Sequence, residues 1–232
     1  MEQLKQRRVL FALAAILALA SALALSACGG SDDGTTSSSP ETAAETASEE
    51  VTCEEVEAPA PKNVSFKAPK QVIEPDVMST ATVKTNCGTF EIELDTKRAP
   101  KTGNSFAFLA EEGFYDDVTF HRVVPGFVIQ GGDPEGTGIG GPGYVVDEKP
   151  PANLSYTKGV VAMAKSETDP PGRSGSQFYI VTAPDAGLPP EYALVGKVTS
   201  GYEVVEAIEK LGGSDEKPTQ TVLIEEMTIQ ES

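Results

Sequence analysis

The stretch FHRVVPGFVIQGGD, Phe120 to Asp133, carries an arginine, a glutamine and the only histidine of a 232-residue chain. Arg122 is a planar cation with N–H donors in a fixed fork, and Gln130 both donates and accepts. Side by side they would form a donor-rich patch inside an otherwise apolar segment. Whether they meet depends on the turn. Pro125-Gly126 marks it, since proline presets φ and glycine accepts positive φ. A two-residue loop would set Arg122 opposite Ile129. A three-residue loop, Pro125 to Phe127, sets it opposite Gln130, with Val124 and Val128 on the same face. We favour the longer loop because it gathers both polar groups on one surface.

Other chemistries fit poorly. A Ser-His-Asp triad would have to use His121 inside the hairpin, and the sequence has no G-x-S-x-G elbow. Cys53 and Cys87 are too few for a structural zinc site, so no metal is expected. The run GGDPEGTGIGGPGY matches G-x-G-x-x-G by letter at Gly136, Gly138 and Gly141. It is followed by turn-forming and extended residues where a dinucleotide site needs a helix N-terminus, and it reads as a long surface loop.

The elements that must hold the hairpin are short strands. Ala81 to Thr85 and Phe90 to Leu94 flank Asn86-Cys87-Gly88 as a hairpin. Val118 to Val124, Phe127 to Gln130, Val160 to Ala164, Gln177 to Val181, Leu194 to Val198 and Val222 to Ile229 complete a set of eight. Helices are expected over Asn104 to Glu112 and Glu203 to Leu211, each with one apolar face. So few helices among so many strands argue against a parallel α/β sheet. The expected fold class is mainly β, an eight-stranded antiparallel barrel closed by two α-helices.

Lys5, Arg7 and Arg8 precede an uncharged apolar run, Val9 to Leu25, and then Leu25-Ser26-Ala27-Cys28. This is the pattern of a signal peptide, residues 1–27, and the small residues before the cysteine resemble the bacterial lipobox. Cys28 is therefore the expected lipidation site, which would anchor the chain to the cell membrane on its extracytoplasmic side. An uncleaved spanning anchor is the alternative. Residues 28–61 read as a disordered acidic tether, with nine acidic residues and no basic one. An N-terminal extension, 62–78, and the globular domain, 79–232, follow. Without the leader the net charge moves from −17 to −19, which disfavours a nucleic-acid partner. Outside the membrane, Cys53 and Cys87 are expected to pair as a disulfide.

Phe120-His121-Arg122, Pro125-Gly126-Phe127 and Gln130-Gly131-Gly132-Asp133 together resemble the cyclophilins, β-barrel peptidyl-prolyl cis/trans isomerases. GVVAMA (Gly159 to Ala164), GSQF (Gly175 to Phe178) and VGKV (Val195 to Val198) follow in the family's order. The resemblance implies a catalytic Arg122 beside Gln130, with Phe127, Val128, Tyr179 and Leu188 lining a proline pocket. It places Ala164 and Gln177 along the peptide groove and gives His121 a structural role, and it implies no cofactor. The partners it implies are proline-containing polypeptides. Gly187, Tyr192 and Lys165 stand where many members carry tryptophan, histidine and asparagine. Since Gly187 and Tyr192 fall at the pocket rim, weak cyclosporin binding is expected. A membrane-tethered proline-peptide-binding module or holdase without catalysis is the rival function.

Overall fold

The computed structural model describes residues 51–232. The expected leader, the expected lipidation site Cys28 and the expected tether up to residue 50 lie outside the described residues. The strands are β1 (Ser79–Thr85), β2 (Gly88–Leu94), β3 (Val118–Val124), β4 (Val128–Asp133), β5 (Val146–Asp147), β6 (Val160–Met163), β7 (Arg173–Ser174), β8 (Phe178–Val181), β9 (Leu194–Ser200) and β10 (Leu223–Glu231). Helix α1 (Pro100–Glu111) lies between β2 and β3, and α2 (Tyr202–Glu209) between β9 and β10. Eight strands close into an antiparallel barrel in the order β1-β10-β3-β4-β8-β6-β9-β2, the architecture expected from the sequence.

The inward residues of these strands form the core. Phe90, Ile92, Phe120, Val123, Ile129 and Phe178 are all fully buried; Phe90 and Ile92 follow period-2 alternation, whereas Phe120 and Val123, three positions apart, break it. The Phe178 ring meets Phe106 and Phe120 edge-on at centroid distances of 5.3 and 5.8 Å, the geometry that aromatic quadrupoles favour.

Helix α1 starts at Pro100, four residues before the expected Asn104. Proline suits a first helical turn because its missing N–H would find no partner there anyway. The Glu148 carboxylate accepts the N–H groups of Lys101 and Thr102 at 3.2 and 2.7 Å, satisfying donors the helix leaves open. Glu148 follows β5, which pairs only with β7 in a small ribbon absent from the sequence reading. Two-residue strands carry no periodicity to detect. Helix α2 ends at Glu209 rather than Leu211, its last turn tightened by Leu211 N–H donating to Ile208 O.

The tether boundary expected at residue 61 needs correction. From Val51 onward the chain is held on the barrel although it contains no helix or strand before Ser79. Glu54 N–H donates to Asn86 O at 2.8 Å, and Cys53 is disulfide-bonded to Cys87. Lys62 Nζ donates to the carbonyls of Gly113 and Phe114 at 3.1 and 3.4 Å. The Phe66 ring packs edge-on against Phe108 at 5.2 Å. Main-chain bonds, a covalent link and a few apolar contacts fix a segment whose composition alone cannot order it.

Candidate active site

Two departures from regular pairing shape the β3–β4 hairpin. Thr119 pairs with Asp133 and Phe120 with Gly131, leaving Gly132 extra on β4; Arg122 then pairs with Gln130, leaving His121 extra on β3. In an unbroken strand Phe120 and Arg122 would share a face, and the arginine would enter the core. The bulge at His121 prevents this. Phe120 stays inside with Val123, while Arg122 turns outward opposite Gln130. The turn is the three-residue one, with Val124 paired to Val128, Phe127 N–H donating to Val124 O at 3.0 Å and Gly126 at a φ of 72°. Gly132, φ 85°, admits no side chain, because a Cβ there would lie 2.5 Å from Ser176 O.

Arg122, Phe127, Val128, Gln130, Ala164, Tyr179, Leu188 and Tyr192 line one cavity of about 160 Å³, together with Lys165. Gln177 lines the adjoining cavity of about 370 Å³, which shares Gln130, Ala164 and Lys165 with the first. The smaller cavity lies below the range typical of drug-sized ligands and suits a single ring. Its wall contains two tyrosines, Tyr179 and Tyr192, with Tyr156 packed against both. Tyr179 and Tyr192 meet edge-on at 5.7 Å, and Tyr156 meets Tyr192 likewise at 5.9 Å. Tyr156 Oη donates to Tyr192 O at 2.6 Å and accepts Tyr192 N–H at 3.0 Å, fixing the backbone of the rim. Burial pushes the Tyr156 hydroxyl up to about 12 and drives Tyr179 higher still. Both are neutral hydroxyls at any ordinary pH. The Tyr179 hydroxyl is buried and has no hydrogen-bond partner among the described residues.

A directed chain of polar contacts runs along the groove. Gln177 Nε2 donates to Gly140 O at 3.0 Å, Gln130 Nε2 donates to Gln177 Oε1 at 3.0 Å, and Arg122 Nη1 lies 3.5 Å from Gln130 Oε1. The glycine-rich loop thus orients Gln177. Asp133, 1% exposed, organises that loop by accepting the N–H groups of Glu135 and Gly140 at 2.8 and 3.2 Å, and that of Gly138. Burial works to raise the Asp133 carboxyl, but these three donors outweigh it and hold it below the ordinary value.

Arg122 has a second partner, absent from the sequence reading. Its Nε donates to Glu216 Oε2 at 2.7 Å. With the arginine side chain 33% and the carboxylate 55% exposed, such a pair adds about 0–1 kcal/mol to stability. Arginine has five N–H donors, and those not facing Glu216 or Gln130 remain for a ligand. The Arg122 guanidinium also lies 6.0 Å from the Phe127 ring centroid.

Lys165 is the other unanticipated feature. Its side chain is 6% exposed, with Nζ 3.6 Å from the Glu191 carboxylate and 5.4 Å from the Tyr192 ring centroid. It braces the segment between the two cavities. His121 lines neither cavity; both ring nitrogens are buried without partners among the described residues. Gly187, φ 64°, has open space where a Cβ would lie.

The family model described as cyclophilin type peptidyl-prolyl cis-trans isomerase/CLD matches residues 80–229. Peptidyl-prolyl cis-trans isomerase B of Bacillus subtilis is 48% identical over 114 residues, 49% of this chain and 78% of that protein. Peptidyl-prolyl cis-trans isomerase-like 2 of Cryptococcus neoformans is 39% identical over 158 residues, 64% of this chain but only 27% of that protein's length. Among solved structures, a Cryptosporidium parvum cyclophilin type isomerase, crystallised in the presence of the dipeptide Ala-Pro, superposes with a TM-score of 0.61 at 32% identity, covering 66% of this chain and 99% of that one. Barrel order, motif order and these matches agree, and the chain belongs to the cyclophilin-type peptidyl-prolyl cis-trans isomerases.

Proposed function

We propose that this protein accelerates rotation about X-Pro bonds in exported proteins, with Arg122 as its catalytic residue. The observation that carries this reading is the placement of Arg122 and Gln130 at the edge of a small cavity walled by Phe127, Val128, Tyr179, Leu188 and Tyr192. An X-Pro amide rotates over a barrier of ~18–20 kcal/mol, and no bond breaks. In the twisted amide the C–N bond loses its double-bond character and the proline nitrogen becomes pyramidal and basic. An Arg122 Nη–H donates to that nitrogen in the twisted form alone, because the planar amide has no lone pair to offer there.

Turnover at ~10³ s⁻¹ would require lowering the barrier by roughly 7 kcal/mol. A charged hydrogen bond in a dry site supplies about 3 of these. The remainder falls to the apolar grip on the ring and to anchoring of the flanking backbone through Gln130, Gln177 and neighbouring main chain. Membrane attachment through lipidated Cys28 completes the proposal, on the strength of the leader and the Leu25-Ser26-Ala27-Cys28 sequence. Weak cyclosporin binding belongs to it as well, since Gly187 offers no indole.

The test is isomerisation of a short X-Pro peptide beside peptide affinity and thermal melting. Arg122→Ala should lower kcat/KM by roughly 10²-fold with little change in affinity or melting. Arg122→Lys should be nearly as damaging, because an ammonium lacks the planar fork that faces Glu216 and Gln130 together. An alanine form that loses rate only as it loses peptide would favour the tethered binding module instead.

A further inference from the structure

Glu216 sits in the loop between α2 and β10 with a φ of 63°. That left-handed region suits glycine, asparagine or aspartate, and a long side chain there is uncommon. The loop is nonetheless tightly built. Glu216 O accepts Val123 N–H at 2.8 Å from β3, Gly213 N–H donates to Lys217 O at 2.7 Å, and Thr219 N–H donates to Leu211 O at 2.7 Å. These bonds anchor residue 216 directly beside the strand that carries Arg122. Its carboxylate takes the arginine's Nε.

We propose that Glu216 is a positioning residue for the isomerase site, holding Arg122 through Nε so that its Nη groups face Gln130 and the small cavity. This rests on the role proposed above for Arg122. A free arginine has many rotamers, most of which would carry the guanidinium away from the groove. Two partners on different edges of the fork define its plane: Glu216 at Nε and Gln130 at Nη1. Gln130 is itself fixed by Gln177 and, through it, by Gly140. The arginine is therefore clamped between two segments far apart in sequence, the β4 strand and the loop before β10. The Glu216 carboxylate is largely in water, which screens it and leaves the cationic character of the Nη groups available. A merely adventitious surface pair would not need its acid on a backbone that disfavours it.

The backbone suggests the variant. Glu216→Gly deletes the carboxylate at a position whose φ glycine accepts without strain, so folding is retained. In the full chain, this variant should lower kcat roughly tenfold, the scale of a small misplacement of a reacting group, with KM within about twofold. Melting temperature should stay equal or rise. Glu216→Gln should keep kcat within about threefold of the parent, because its amide oxygen still accepts from Nε. In an Arg122→Ala background, Glu216→Gly should have no further effect on rate. A Glu216→Gly form as fast as the parent or faster, alongside a slow Arg122→Ala form, would overturn the positioning role and leave the arginine's role intact. Equal losses in the Gln and Gly forms would assign the effect to charge and overturn it too. An Arg122→Ala form with parental rate would instead remove the reading on which it rests.

Discussion

The β1–β2 and β3–β4 hairpins belong to the same barrel and follow opposite rules. From Ser79 with Leu94 to Thr85 with Gly88, β1 and β2 pair residue for residue without interruption. Ala81, Val83, Phe90, Ile92 and Leu94 all point inward, and the turn residue Cys87 is tied covalently to Cys53. The β3–β4 pairing breaks twice, and its turn carries no covalent link. Regular pairing places every second side chain in the core and leaves no freedom in aiming the rest. An inserted residue breaks that constraint locally, which is how a strand with Phe120 inside presents Arg122 outside only two positions later.

This contrast can be tested by damaging each hairpin separately. The largest stability effect should come from the first. Replacing Cys53 and Cys87 by serine opens a loop with a sequence separation of 34 residues, which should cost roughly 3 to 4 kcal/mol in denaturant unfolding on the chain-entropy view. Isomerisation of a peptide should stay within about twofold, since the disulfide touches no residue of the groove. A rate loss matching the stability loss would show that the two hairpins do not act independently. Arg122→Ala should give the reverse pattern, a slow enzyme with normal melting.

A smaller effect is expected within the cavity itself. Tyr179→Phe removes a buried hydroxyl that has no partner among the described residues, so unfolding free energy should rise by about 1 kcal/mol. Equal or lower stability would mean that the hydroxyl is satisfied in solution. The smallest effect concerns the bulge residue. Burial holds the His121 imidazole below its ordinary pKa of 6.5, so the unfolded chain binds a proton at a pH where the folded chain does not. The resulting stability is full above the unfolded value and is lost as pH falls through it toward the folded one. Melting temperature should therefore drop between about pH 7 and pH 5.5, and His121→Gln should flatten that part of the profile.

The eight barrel strands were legible because alternation and turn residues are local signals, and the Pro125-Gly126 turn set the pairing of Arg122 with Gln130. The bulges were not, since the sequence FHRVV fails to alternate for reasons that only its partner strand explains. Glu216 lies 94 residues from Arg122, and in so acidic a chain no single glutamate stands out. In the sequence Lys165 stands out only as a lysine where many cyclophilins carry asparagine. Its bracing role depends on Glu191 and Tyr192 folding against it. Residues 51–61 carry an acidic, proline-containing composition, and the groups that hold them, Asn86, Gln220 and the Cys87 sulfur, are supplied by distant parts of the chain.

The barrel's seam has a kinetic consequence. β1 pairs with β2 on one side and with β10 on the other, from Ser79 with Glu231 to Thr85 with Ile224. The first strand to be synthesised therefore keeps one row of backbone donors and acceptors unpaired until the last strand arrives. Such open edges template pairing with other chains. High-contact-order barrels also close slowly, in milliseconds to seconds. A nascent chain would present an open β1 edge, and an enzyme acting on slow prolyl bonds would itself complete its sheet only after residues 223–231 are free to dock.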